Sequence, residues 1–129
     1  MKTEDFKIKF KKRLYDFTLK LIQLIEQLPN DNVSKRLGDQ LLRSGTSVIA
    51  NYVEGQSSAS TRELIYFLNV SLKSANESKL WINLLKDSKK IHEEKTTWFS
   101  GELEEFSKII AASIITLKEK LKQSKKSPL

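Results

Sequence analysis

Residues 43–60, RSGTSVIANYVEGQSSAS, decide how the rest of the chain is read. At about 100° per residue, Leu37, Leu41, Val48 and Tyr52 fall on one side of a helix, and Leu42, Ile49 and Val53 form a second apolar row beside them. That arc is wider than a surface helix needs. On the flank opposite the second row, Ser44, Ser47, Asn51 and Glu54 recur at intervals of 3, 4 and 3 residues, which draws a polar stripe along the same helix. Ser44, Gly45, Ser47 and Ala50 are small and let a neighbouring backbone come close. The stretch reads as a central helix contacted on several sides, with Gly55 placed to end it in the left-handed conformation and a serine-rich turn beyond.

Upstream, Phe10, Leu14, Phe17, Leu21, Leu24 and Leu28 step 4, 3, 4, 3 and 4. This heptad seam predicts a helix over about 3–28, which Pro29 ends. Asn30, Asp31 and Asn32 supply turn and N-cap chemistry for the central helix, about 33–54, and the short connection makes the two antiparallel neighbours. Downstream, Ser60-Thr61-Arg62-Glu63 is a capping box that opens a third helix over about 61–86. Its inner positions Leu64, Leu68, Ser71, Ala75, Ser78, Ile82 and Leu85 are small and polar in the middle, like the middle of the central helix. The polar interval Lys86–Glu94 is the third connection. Phe99, Leu103, Phe106, Ile110, Ser113, Leu117 and Leu121 then set a fourth helix over about 96–122, with 123–129 read as a disordered tail.

A chain of 129 residues fits one domain with one core, and four glycines and two prolines leave nearly all of it open to helix. Four long helices with short loops lead to an all-α, antiparallel up-down-up-down four-helix bundle. Each helix also carries apolar residues outside its seam. These suggest burial in a cyclic homo-oligomer through Leu42, Ile49, Val53, Phe67, Trp81 and Trp98, although the same side chains could simply fill a wide core.

Catalytic chemistry finds little to stand on. With no cysteine, disulfides, thiolate metal sites and thiol nucleophiles are excluded, and the composition fits a reducing cytoplasm. The N-terminus MKTEDFKIKFKKR is not a signal peptide, and no window approaches the roughly 18 apolar residues of a membrane span, so no membrane partner is expected. His92 stands alone in a Lys- and Glu-rich connection. The glycines at 38, 45, 55 and 101 form no phosphate loop, and the paired carboxylates Glu93-Glu94 and Glu104-Glu105 point apart on a helix. No catalytic residue, cofactor or metal site is expected, and the chain reads as a non-enzyme. The polar stripe instead predicts a buried hydrogen-bonded cluster of Arg43, Ser47, Asn51 and Glu54 with Ser74 and Glu77 of the third helix, because a carboxylate inside a bundle needs a cation or amide beside it. Its role would be to set register and oligomer geometry; a small-molecule pocket around Asn51, Glu54 and Glu77 is the alternative.

The formal charge is +7, and the antiparallel topology would gather most of it. The pole holding the start of the first helix and the end of the fourth carries Lys2, Lys7, Lys9, Lys11, Lys12, Arg13, Arg62, Lys118, Lys120, Lys122, Lys125 and Lys126 against Glu4, Asp5, Asp16, Glu54, Glu63 and Glu119. Among these, Lys7, Lys9, Lys11, Lys12, Arg13, Lys118, Lys120 and Lys122 are the candidate contacts for RNA or DNA phosphates, bound without sequence readout. The bland alternative is that these lysines only keep the protein soluble.

The series Arg43-Ser44, Ser47, Asn51 and Glu54-Gly55, followed by a Ser- and Arg-containing turn, Phe67-Leu68, Ser74 and Glu77, resembles the four-helix bundle proteins encoded in 23S rRNA intervening sequences. The resemblance covers nearly the whole chain. It implies a small left-handed bundle assembling as a homopentamer, with no defined physiological function. A related branch, the accessory variability determinants of diversity-generating retroelements, is similar in fold and assembly; there a basic barrel binds nucleic acid and a partner reverse transcriptase. The chain departs from the family pattern at Tyr52-Val53, usually Ile-Ala, and at Lys73, usually Gly. Two functions follow as expectations: an oligomer holding nucleic acid or a nucleic-acid enzyme, or a protein-interaction scaffold in which the charge plays no part.

Overall fold

The computed structural model describes the backbone of residues 2–126 and the side chains of residues 3–124. Over this range the chain forms α1 (Lys2–Glu26), α2 (Asn32–Gln56), α3 (Thr61–Asp87) and α4 (Glu93–Lys126), with no strand among the described residues. The first three helices lie close to their expected bounds. α4 departs most. Glu93 and Glu94 place negative charge in its first turn, where the helix dipole favours it, and the Glu93 carbonyl accepts the hydroxyls of Thr96 and Thr97 at 2.7 and 3.2 Å, so the helix starts before 96. It also continues through Gln123–Lys126, read above as tail, because Lys and Gln are adequate helix formers even without an apolar seam. Residues 127–129 of that tail lie outside the described residues.

The helix ends follow from local chemistry. Asp31 caps α2, its carboxylate accepting the Ser34 N–H at 2.8 Å and the Ser34 hydroxyl at 3.0 Å, with Lys90 Nζ 3.3 Å away. Ser60 caps α3 by accepting the Glu63 N–H at 3.1 Å, while the Glu63 carboxylate reaches Ala59 N–H at 3.1 Å, one residue before the partner a standard box would use. Gly55 does not end α2, and no described glycine is left-handed. It is glycine because α3 comes close: a Cβ there would stand 3.1 Å from both Leu64 Cδ1 and Phe67 Cβ. The residue that does turn left-handed is Lys89 (φ 63°), in the α3–α4 connection. That turn sends the Lys90 and Ile91 N–H groups back to the Leu85 carbonyl at 2.9 and 3.3 Å and buries Ile91.

The Asp31 cap carries a pH signature. The Ser34 N–H, then the Ser34 hydroxyl and Lys90, hold its carboxyl below the ordinary value of 3.8, outweighing the opposing desolvation. A carboxyl depressed on folding stabilises fully above its unfolded value, and that increment is lost as pH falls through the folded value. Replacing Asp31 by Asn keeps the cap acceptor but removes the titration. Urea midpoints measured from pH 5 down to pH 2 are therefore expected to fall less steeply for Asp31→Asn than for the parent chain.

Adjacent helices pair in opposite sequence order. Gly38 meets Ile25 and Leu28 of α1 while Gly45 meets Leu21, so numbers rise along α2 as they fall along α1. Ser44–Ser78 and Ser47–Ser74, each at 2.8 Å, repeat the inversion between α2 and α3. Asn76–Ser107 and Lys79–Glu104 do so between α3 and α4, and Phe10–Phe106 and Phe17–Phe99 between α1 and α4. The core holds Leu14, Leu21, Leu41, Ile82, Leu85, Leu103 and Ile110, all essentially without solvent contact. Phe10 and Phe17 both meet Phe106 edge to face, at 5.7 and 5.1 Å.

Candidate functional site

Thr3 and Phe6 of α1, Gln56 of α2, Leu64 of α3 and Lys120 of α4 line one cleft, so these four helix ends share a pole. The Asp31–Lys90 contact brings the α1–α2 and α3–α4 connections together at the other end. At the first pole Lys9, Lys11, Lys12, Lys118, Lys120 and Lys122 are exposed and Lys7 is half-exposed. The side chains of Lys2, Lys125 and Lys126 lie outside the described residues. Lys7, Lys9 and Lys12 pair with Glu4, Asp5 and Asp16 one turn away at 3.6, 3.1 and 3.1 Å. Exposed pairs of this kind are worth only a few tenths of a kcal/mol, so the lysines stay available to another anion.

Arg13 stands apart from that group. Its guanidinium donates twice to Glu102, at 3.0 and 2.6 Å, and lies 5.5 Å over the Phe106 ring. The hydrogen bond to Glu102 leads the causes that raise its pKa. Arg13 joins α1 to α4 and faces the bundle, which a reading of a basic run KKR could not foresee without knowing that Glu102 lies opposite.

The polar stripe resolves into a buried seam and an exposed rim. In the seam, Ser44 bonds Ser78, Ser78 donates to the Ser74 carbonyl at 2.9 Å, Ser74 donates to Ser47, and Ser71 donates to the Val48 carbonyl at 2.7 Å. Asn51 Nδ2 donates to both the hydroxyl and the carbonyl of Ser47 at 2.9 Å. At the rim Arg43 pairs with Glu77, which also accepts Trp81 Nε1–H at 3.1 Å. Arg43 is exposed, so this ion pair is not the buried one expected. Glu54 is exposed as well and does not join the cluster. Ser44, Ser71 and Ser78 complete the seam in their place; their signal was the small, polar middle shared by two facing heptads. Among the described residues no buried side-chain polar atom lacks a partner, so the seam is internally satisfied and reads as packing chemistry.

Of the apolar candidates, Trp98 stacks on Phe17 at 5.9 Å under the Lys20 ammonium, Trp81 and Ile49 pack against the core, and Phe67 is half-buried beside Gly55. Leu42 and Val53 remain exposed on α2 and so does Trp98 on α4, as do Ile8, Tyr15 and Leu19 on α1 and Tyr66, Leu80 and Leu84 on α3. His92 is exposed in the α3–α4 connection. No helix among the described residues is long and apolar enough to cross a membrane.

Against this geometry, the family model of the 23S rRNA-intervening sequence protein matches residues 7–112. The chain belongs to that family. A solved family structure from Bacteroides thetaiotaomicron, a protein with unknown function from the S23 ribosomal protein family, is 31% identical and superposes with a TM-score of 0.76. The match covers 81% of this chain and 96% of that one. No curated protein matches. The part matched by the family model includes Arg13, the serine seam and Phe106, whereas Lys118, Lys120 and Lys122 lie beyond it.

Proposed function

We propose that this family member is a non-enzymatic up-down-up-down four-helix bundle that assembles into a cyclic homo-oligomer and holds RNA or DNA on its basic pole in the cytoplasm. The observation that supports the reading is the meeting of the α1 start and the α4 end in a cleft lined by Lys7 and Lys120, with Lys9, Lys11, Lys12, Lys118 and Lys122 exposed on the same two helices. A ring of parallel subunits would repeat that end around its axis, and a flexible lysine surface suits phosphate contacts made without base readout. The helix pairings in opposite sequence order support the topology. Two different exposed apolar faces, Leu42 and Val53 beside α1 and Tyr66, Leu80 and Leu84 on α3, support a heterologous contact that closes into a ring, a pentamer by family resemblance. Such a ring could serve a nucleic-acid enzyme such as a reverse transcriptase. The scaffold reading, in which only the apolar faces matter, rests on those same exposed faces.

Light scattering combined with fluorescence anisotropy on a generic RNA and a generic DNA separates the two readings. The expected mass is a multiple of 14.9 kDa. If about four phosphates are neutralised, affinity falls roughly 100-fold between about 50 and 200 mM salt. Replacing Lys11, Lys118 and Lys122 by Glu is expected to abolish binding and leave the mass unchanged. An intact oligomer that retains neither nucleic acid at about 50 mM salt rejects the basic-pole reading and leaves the scaffold.

A further inference from the structure

Between α1 and α4 at the basic pole the helices part around a cleft of about 410 Å³. Its existence follows from side-chain size. Up to Phe106, α4 meets α1 with aromatic rings and the Arg13–Glu102 pair; beyond it, α4 presents Ala112, Ser113 and Thr116 to Phe6 and Phe10, and the gap is not filled. Leu64, Leu68, Ile109 and Leu117 supply apolar walls, and the volume lies in the range of small-molecule pockets.

One polar group is built into this lining. Tyr52 is 5% exposed, its ring is held edge to face against Phe10 at 5.1 Å, and its hydroxyl has no hydrogen-bond partner among the described residues. No buried polar atom there is sealed without a partner, so this hydroxyl opens into the cleft it lines. Burial first, and the Glu4 carboxylate second, push its pKa up to about 12, so it stays a neutral donor at any ordinary pH. Glu4 also lies 3.6 Å from Lys7 Nζ in a loose exposed pair. The Tyr52 hydroxyl and the Lys7 ammonium both line the cleft. A free donor and a cation beside an apolar trough are the recognition elements for a carboxylate with an apolar body.

We propose that the cleft binds a small free amphiphilic carboxylate of the medium-chain fatty-acid class, its head group received by the Tyr52 hydroxyl and Lys7 and its chain lying against Leu64, Leu68, Ile109 and Leu117. The ligand head takes the place of Glu4 beside Lys7, and Lys120 adds positive charge at the rim. The cleft shares Lys7 and Lys120 with the basic pole, whereas Lys11, Lys118 and Lys122, whose replacement tests the nucleic-acid reading, do not line it.

Isothermal titration with hexanoate, octanoate and decanoate, each below its micelle concentration, tests the assignment. Affinity is expected to rise about threefold to fourfold per added methylene until the trough is full. Octyltrimethylammonium is expected to bind at least tenfold more weakly than octanoate. Lys7→Gln removes most of that preference, and Tyr52→Phe, which keeps the ring, weakens octanoate about fivefold. Ser113→Phe fills the cleft and abolishes binding while circular dichroism remains helical. If Ser113→Phe does not fold, Ala112→Leu serves the same purpose from the neighbouring position. The proposal is overturned by no saturable carboxylate binding, by equal binding of the cationic amphiphile, by unchanged binding in the cleft-filling variant, or by a fall in oligomer mass in that variant with no loss of ligand, which would assign the cleft to a second copy of the chain.

Discussion

Phe106→Ala is expected to lower the unfolding free energy by about 3–5 kcal/mol, the range for removing a fully buried aromatic. Phe106 is 0% exposed and sits where α1 and α4 close on each other. It takes the edges or faces of Phe10 and Phe17 and carries the Arg13 guanidinium, whose own partner is Glu102. Truncation removes two aromatic pairs and the hydrophobic floor under that ion pair at once. The surrounding helices cannot collapse into the space, because α1 is held to α2 by Gly45 and Leu21 on its other side. Urea denaturation at fixed protomer concentration is the measurement, with a fall in midpoint temperature of about 10–20 °C as its thermal counterpart. Phe106→Leu, which keeps most of the volume, is expected to cost about 1–1.5 kcal/mol. A loss below about 1 kcal/mol for the alanine variant would mean that α1 and α4 are not packed through this ring.

Gly45→Val is expected to cost about 3 kcal/mol, against the general gain in helix propensity that replacing glycine brings. A Cβ on Gly45 would fall on Leu21 Cδ2, far inside van der Waals contact, and Leu21 is 0% exposed. Either Leu21 takes another rotamer inside a filled core or the α1 and α2 backbones move apart, and each is costly. Gly101 supplies the control, because nothing lies within 4 Å of a Cβ built there. Gly101→Ala should therefore stabilise α4 by about 0.5–1 kcal/mol through the propensity gain alone. Adding Leu21→Ala to the Gly45 variant should return part of the loss, a coupling readable in a double-mutant cycle. If Gly45→Val were as harmless as Gly101→Ala, the close approach of α1 and α2 would be wrong.

These two glycines show where a linear reading stops. Both sit inside helices, and in a single sequence they look alike. Only the neighbour facing each one separates a packing requirement from a tolerated residue. Gly55 makes the same point in reverse: its place before a serine-rich turn suggested a left-handed helix end, whereas proximity to Leu64 and Phe67 is what asks for glycine. The Tyr52-Val53 departure from the family pattern was legible, but the cleft that Tyr52 lines was not, since it depends on Ala112 and Ser113 some sixty residues away standing across from Phe6 and Phe10.

Periodicity and punctuation in the chain were enough to establish four helices, their order and most of their ends. The spacing of apolar residues dictates which face must leave water, and Pro29, Asp31 and Ser60 satisfy or interrupt the backbone locally. Which cations are free was decided only in three dimensions. Arg13 and Lys11 are both basic residues in one run, yet Arg13 is drawn to Glu102 while Lys11 remains in solvent, because charge is a property of a residue but pairing is a property of what the fold sets opposite it.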